Sequence, residues 1–156
     1  MDQDRGPDVR FPPPLLFVAG LGVGVVLDRY GRVPSVGPAY AATQIAGIAL
    51  VVVGLAIVYA GIITFRRART AVYPNRPATV IVQHGVYAWT RNPMYVGMTA
   101  FYVGAALLLH SLGALVLLPV VLRLLYVRVI VREERHLHAA FPDEYAAYCR
   151  RVRRWL

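Results

Sequence analysis

The chain has 156 residues, the size of one domain, with a net charge of +9 and 58% hydrophobic residues. Its mean hydropathy of +0.52 is above that of ordinary soluble domains. Every basic residue is arginine, and the arginines lie between and after apolar runs, so a membrane surface suits them better than nucleic acid. The single cysteine, Cys149, excludes an internal disulfide and a multi-cysteine metal site.

The first apolar run is Pro12 to Leu27. A signal peptide is an alternative, with Ala39-Tyr40-Ala41 as a small-x-small cleavage pattern. The leader is acidic at Asp2, Asp4 and Asp8, and that pattern lies too far downstream, so the run is read as a span. Within it, Gly20-Leu-Gly-Val-Gly24 resembles a dinucleotide fingerprint, but no strand precedes it and its spacing suits helix packing. The second run, Ala39 to Phe65, is 27 uncharged residues, more than the roughly 20 that cross a bilayer. Gly47, Gly54 and Gly61 recur every seven residues there, as do Gly97 and Gly104 later. Each set lines one helix face and permits close helix approach; a channel lining is the alternative, without intramembrane charge to support it.

The loop from Arg66 to Asn92 follows. Thr79 to Val82 is short, β-branched and extended by preference, which leaves backbone groups free to read a heterocycle edge. Gly85 suits a turn, and Tyr87 and Trp89 offer flat surfaces for the interface or for a ligand. Arg91-Asn92-Pro93 opens the next helix, with Asn92 at the N-cap and Pro93 in the first turn. One reading is a capped helix with an arginine reaching for headgroups; the other is an anion site at the helix N-terminus. Pro93 to Leu122 is uncharged and too long for one helix. The break at His110-Ser111-Leu112-Gly113 predicts a hairpin, Tyr95 to Leu109 and Leu112 to about Val131, with Arg123 and Arg128 toward its far end.

In the tail, Arg128, Arg132, Glu133 and Glu134 continue the fourth helix beyond the membrane, Pro142 ends it, and Asp143 and Glu144 start another. Tyr145, Tyr148 and Val152 form an apolar side, with Trp155 at the interface. Metal binding by Glu133, Glu134, His136 and His138 is disfavoured, because the two histidines point to different helix faces. Glu133, at the membrane edge, needs an arginine or a cationic ligand as partner. Loop charges place the Arg66–Asn92 loop and the tail on one face, the cytoplasm, with both termini. The expected fold is an all-α integral membrane protein without a Rossmann domain. About four transmembrane helices include a hairpin at 93–131, and amphipathic tail helices follow at 132–156. Residues 1–65 form an N-terminal pair of helices, and 66–156 carry the chemistry.

"GVYAWTRNPMYVG" followed about forty residues later by "EERHLHAAFPDEYAAYCRRVRRW" resembles the isoprenylcysteine carboxyl methyltransferase family and its bacterial and phospholipid methyltransferase relatives. The likeness covers about residues 65 to 156. It implies an integral membrane enzyme, in a bacterium of the inner membrane, that transfers a methyl group from S-adenosylmethionine to a small isoprenoid or lipid. The accepting group is a carboxylate, amine or thiol. Carried over by position, Thr79, Val80, Ile81 and Val82 contact the adenosyl part and Tyr87 flanks the cofactor. Asn92, Pro93, Met94 and Tyr95 surround its methionine end, and Glu133 holds a polar or cationic part. Arg91 suits its carboxylate. Relatives carry a substrate-binding arginine one turn before the acidic pair; here Val129 stands at that place, with Arg128 and Arg132 beside it. Arg128 is the candidate substrate contact, and Glu134 or Tyr95 is the candidate base for an amine or hydroxyl acceptor. An NADPH-dependent membrane reductase of the sterol-reductase type and a non-catalytic lipid-binding adaptor are the alternatives.

Overall fold

A computed structural model describes residues 12–31, 40–68 and 80–156. Among these the protein is all-helical: α1 (Pro13–Gly31), α2 (Tyr40–Arg67), α3 (Pro93–Leu108), α4 (Leu112–Leu125), α5 (Val131–Ala140) and α6 (Pro142–Arg151). A 3-10 turn at Gly85–Ala88 precedes α3. A π turn at Tyr126–Ile130 joins α4 to α5, so that Leu112–Ala140 runs as one rod of 29 residues. Among the described residues, three helices are long and apolar enough to cross a membrane: Pro13–Gly31, Ala41–Arg67 and Leu112–Ala140. The expected fourth span, α3, has 16 residues, about 24 Å of helix, short of the roughly 30 Å hydrocarbon core. Pro93 bounds it at one end and the turn at His110 bounds it at the other.

The glycines decide which helices pair. A Cβ built on Gly54 would lie 2.5 Å from the Gly97 carbonyl oxygen, and one on Gly104 would lie 2.7 Å from that of Gly47. α2 and α3 therefore pack antiparallel at backbone distance, glycine against glycine. Gly20 and Gly24 do the same for α1, against Val121 and Ala114 of α4, so their spacing serves packing. α1 and α2 are not a packed pair.

The hairpin turn lies where expected. His110 takes a left-handed backbone, φ 52°, and Ser111 caps α4 by accepting from the Ala114 N–H at 3.1 Å. Asp28, from the last turn of α1, accepts from the Gly113 N–H at 2.7 Å and from the Ser111 hydroxyl. This satisfies orphan donors of α4 and locks α1 to its start. The interior is built on Phe17, Tyr95, Tyr102, Leu125, Val129 and Ile130. A second cluster unites Tyr145, Tyr148 and Val152 with Ile81, Leu137 and Phe141, and it docks the tail under the loop before α3.

Candidate active site

The loop before α3 is built by three local devices. Val80 to Val82 is irregular, with a bend at Val80, and among the described residues its backbone groups make no hydrogen bond. Ile81 packs on the tail cluster, and Gln83 donates to Glu144 at 2.9 Å and accepts from Arg151. Gly85 then turns with φ 62°, where a Cβ would sit 3.1 Å from the Thr64 hydroxyl. The 3-10 turn drives Tyr87 inward, its ring edge-on to Phe65 of α2 with centroids 5.1 Å apart. Trp89, 81% exposed, faces outward as an interface anchor would. Thr79 lies outside the described residues.

The tail closes over this loop. Arg153 accepts from the Arg91 N–H at 2.9 Å. The Arg154 carbonyl accepts from the Thr90 hydroxyl at 3.1 Å and from Asn92 Nδ2 at 3.0 Å. Asn92 does occupy the N-cap position, but its side chain caps nothing; the amide is spent on the tail carbonyl. Arg91 is also turned away from the helix N-terminus. Its Nη1 reaches Glu134 at 3.2 Å, Tyr145 Oη at 3.3 Å and Cys149 Sγ. The Tyr148 hydroxyl donates to the Tyr87 carbonyl at 2.7 Å. Burial pushes Tyr148 up to about 12, Arg91 pulling against it and Cys149 adding to it. It is therefore a donor throughout the neutral range.

The two acidic neighbours have opposite surroundings. Glu134 takes a bidentate pair from Arg154, Nε and Nη2 each at 2.8 Å, besides the contact with Arg91. Both its oxygens are held by guanidinium groups, which leaves neither turned toward the Tyr95–Glu133 side. Glu133 accepts from the Tyr95 hydroxyl at 2.7 Å and, among the described residues, meets no cation. Close by, the Tyr87 hydroxyl is buried and, among the described residues, has no hydrogen-bond partner. Burial first, then the charge of Glu133 and the neighbouring Tyr148, hold it well above the ordinary tyrosine range. Gly61 of α2 completes this wall: a Cβ there would lie 2.6 Å from Met94 Cγ and 3.6 Å from Tyr87 Oη. The result is a small polar cradle, formed by Tyr87, Tyr95 and Glu133 and walled by Met94 and Gly61.

Residues 42–144 match the phospholipid methyltransferase family. The chain belongs to the phospholipid methyltransferase family. Two protein-S-isoprenylcysteine O-methyltransferases are similar to it over 73 residues, 47% of this chain. That of Schizosaccharomyces pombe is 33% identical across 31% of its own length, and that of Saccharomyces cerevisiae is 37% identical across 30%. The cobalt-zinc-cadmium resistance protein CzcN of Cupriavidus metallidurans is 35% identical over 78 residues, half of this chain and 36% of that protein. The chain thus spans about a third of the length of these relatives. Among the described residues no three His, Cys, Asp or Glu side chains converge as a metal site requires.

Against this phospholipid methyltransferase background the predicted residues divide. Tyr87, Met94, Tyr95 and Glu133 come together. Arg91, Asn92 and Glu134 form a second group that fastens the tail. Pro93 is buried at the start of α3. Arg128 is exposed in the π turn and makes no hydrogen bond or ion pair with another described residue, while Val129 beside it is fully buried in the core. Gly61, Phe65 and Arg154 were not legible as site residues. Gly61 had one signal, being the third member of a heptad glycine set whose other two meet glycines of α3.

Proposed function

We propose that the protein is an S-adenosylmethionine-dependent methyltransferase acting on a lipophilic acceptor at the cytoplasmic edge of the membrane. The observation that carries this is Glu133, a carboxylate beside the Tyr87 hydroxyl; among the described residues it is bonded to Tyr95 and meets no cation, and the Tyr87 hydroxyl has no partner. Even a half-buried carboxylate without a counter-charge is costly until a cation reaches it, and the cofactor offers both a sulfonium and an ammonium. The orphan Tyr87 hydroxyl fits a second polar group of the same molecule, and the free backbone of Val80 to Val82 fits an adenine edge.

Glu133, Tyr87 and the Val80–Val82 backbone would hold S-adenosylmethionine, which would supply an electrophilic methyl group for the acceptor's lone pair, the electron pair of the broken bond being retained by its sulfur. The residues align and dehydrate. Tyr95 fixes the Glu133 rotamer through its hydroxyl, Met94 and Gly61 shape the wall, and the tail fastened through Asn92 and Arg154 excludes water. Because Glu134 is engaged by two arginines, the arrangement favours an acceptor that arrives deprotonated, a carboxylate or a thiolate, over one that needs a base. Incubating membranes with methyl-labelled S-adenosylmethionine or hydride-labelled NADPH tests the reading. Methyl label in the lipid extract is expected; hydride label, or neither, would exclude it.

A further inference from the structure

We propose that Arg123, Tyr126 and Arg154 form a binding site for the phosphate of an anionic membrane lipid, on the outer face of α4 and apart from the Tyr87–Tyr95–Glu133 cradle. Two guanidinium groups gather on one ring: Arg123 Cζ lies 5.9 Å from the Tyr126 centroid and Arg154 Cζ lies 5.3 Å from it. One comes from the membrane helix and the other from the tail. Gathering like charges costs free energy unless an anion balances them. The acid at hand, Glu134, is already shared by Arg91 and Arg154, so Arg123 adds a charge without a balance among the described residues. The donors for an anion are also in place. Arg154 spends Nε and Nη2 on Glu134, each at 2.8 Å, and among the described residues its Nη1 donates to nothing. Arg123 is exposed and, among the described residues, makes no hydrogen bond or ion pair. A guanidinium fork matches phosphate oxygens, and Arg123 is free to swing toward a phosphate that accepts from Arg154 Nη1.

The surroundings select a lipid over a soluble phosphate. Val120 and Val127 stand three residues before and four after Arg123, so they flank it on one helix face. Both are exposed, and Val116 and Leu124 extend the same apolar stripe. The rod Leu112–Ala140 is long and apolar enough to cross a membrane, and this stripe is its outward surface. An acyl chain covers the stripe while its phosphate meets the arginines at the tail end of the span. A zwitterionic headgroup brings its own cation to a place that already holds a surplus of them, so an anionic lipid is favoured. Arg154 also anchors the tail, its carbonyl accepting from the Thr90 hydroxyl and Asn92 Nδ2. A lipid bridging Arg123 and Arg154 therefore ties the tail to α4. The site is independent of the methyl-transfer reading above.

The test titrates the full chain, in a non-ionic detergent, with dioctanoyl phosphatidylglycerol, dioctanoyl phosphatidylcholine and glycerol phosphate, and reads binding by calorimetry. Phosphatidylglycerol is expected to bind saturably and the other two much more weakly. Arg123→Gln should weaken phosphatidylglycerol by about 10- to 100-fold, as for a lost charged hydrogen bond. Arg150→Gln removes the same charge from an exposed position on α6 and should leave the affinity unchanged. In nanodiscs, phosphatidylglycerol should raise the melting temperature above that in phosphatidylcholine, and Arg123→Gln should abolish the rise while melting like the wild type in phosphatidylcholine. Equal weakening by Arg123→Gln and Arg150→Gln would overturn the proposal, since general surface charge would then account for the binding. Absence of saturable binding would also overturn it, and glycerol phosphate binding as tightly as the lipid would overturn the lipid as occupant.

Discussion

Glu133 and Glu134 are adjacent, yet a helix turns neighbouring side chains about 100° apart, and that rotation separates their tasks. Glu134 joins the tail to the loop through Arg91 and Arg154. We expect Glu134→Gln and Arg154→Ala to destabilise the protein by non-additive amounts, with a coupling of about 1 kcal/mol for this partly exposed pair. Thermal unfolding of the two single variants and the double variant measures it. Tyr95 presents its hydroxyl to Glu133. Tyr95→Phe keeps the packing and frees the carboxylate to change rotamer, so turnover should fall by about 10- to 100-fold, the usual result of lost alignment. The fall should appear in kcat measured with saturating acceptor.

The helices are set by features of different range. Pro93, the left-handed His110 and Pro142 each stop or start a helix through a local restriction, and for that reason all three boundaries were legible in the sequence. The glycine sets were legible too, since a seven-residue repeat can line only one face. Gly54→Val should drive a methyl into the Gly97 carbonyl and cost about 1–3 kcal/mol, whereas Gly22→Ala, which meets nothing within 4 Å, should be neutral. Midpoints in a denaturing detergent titration separate the two. On α6, Tyr148 holds the loop by donating to the Tyr87 carbonyl. Its folded pKa of about 12 lies above the unfolded value near 10. The contribution is therefore complete below pH 10 and is lost as pH climbs toward 12. Melting temperature should drop more steeply over that interval in the wild type than in Tyr148→Phe.

At the scale of the molecule, two antiparallel helix pairs, α2 with α3 and α1 with α4, carry a tail that folds back over their shared end. The all-helical membrane architecture and the meeting of Tyr95 with Glu133 were foreseeable from spacing and motif. Three things were not. The Asn92 amide could be expected at a cap, but its bond to Arg154 crosses 62 positions, and no local pattern encodes such a pairing. The engagement of Glu134 by two arginines is equally remote. The π turn, which buries Val129 and leaves Arg128 outside, depends on packing against the core rather than on intrinsic preference. In the proposed reaction Glu133 is the anion that a cationic cofactor meets. Isothermal titration with S-adenosylmethionine tests it most directly. The wild type should bind, and Glu133→Gln should bind about 10- to 100-fold more weakly, as expected for a lost charge-assisted contact, while melting at an equal or higher temperature. Equal affinity in the two proteins, or no heat from the wild type, would contradict it.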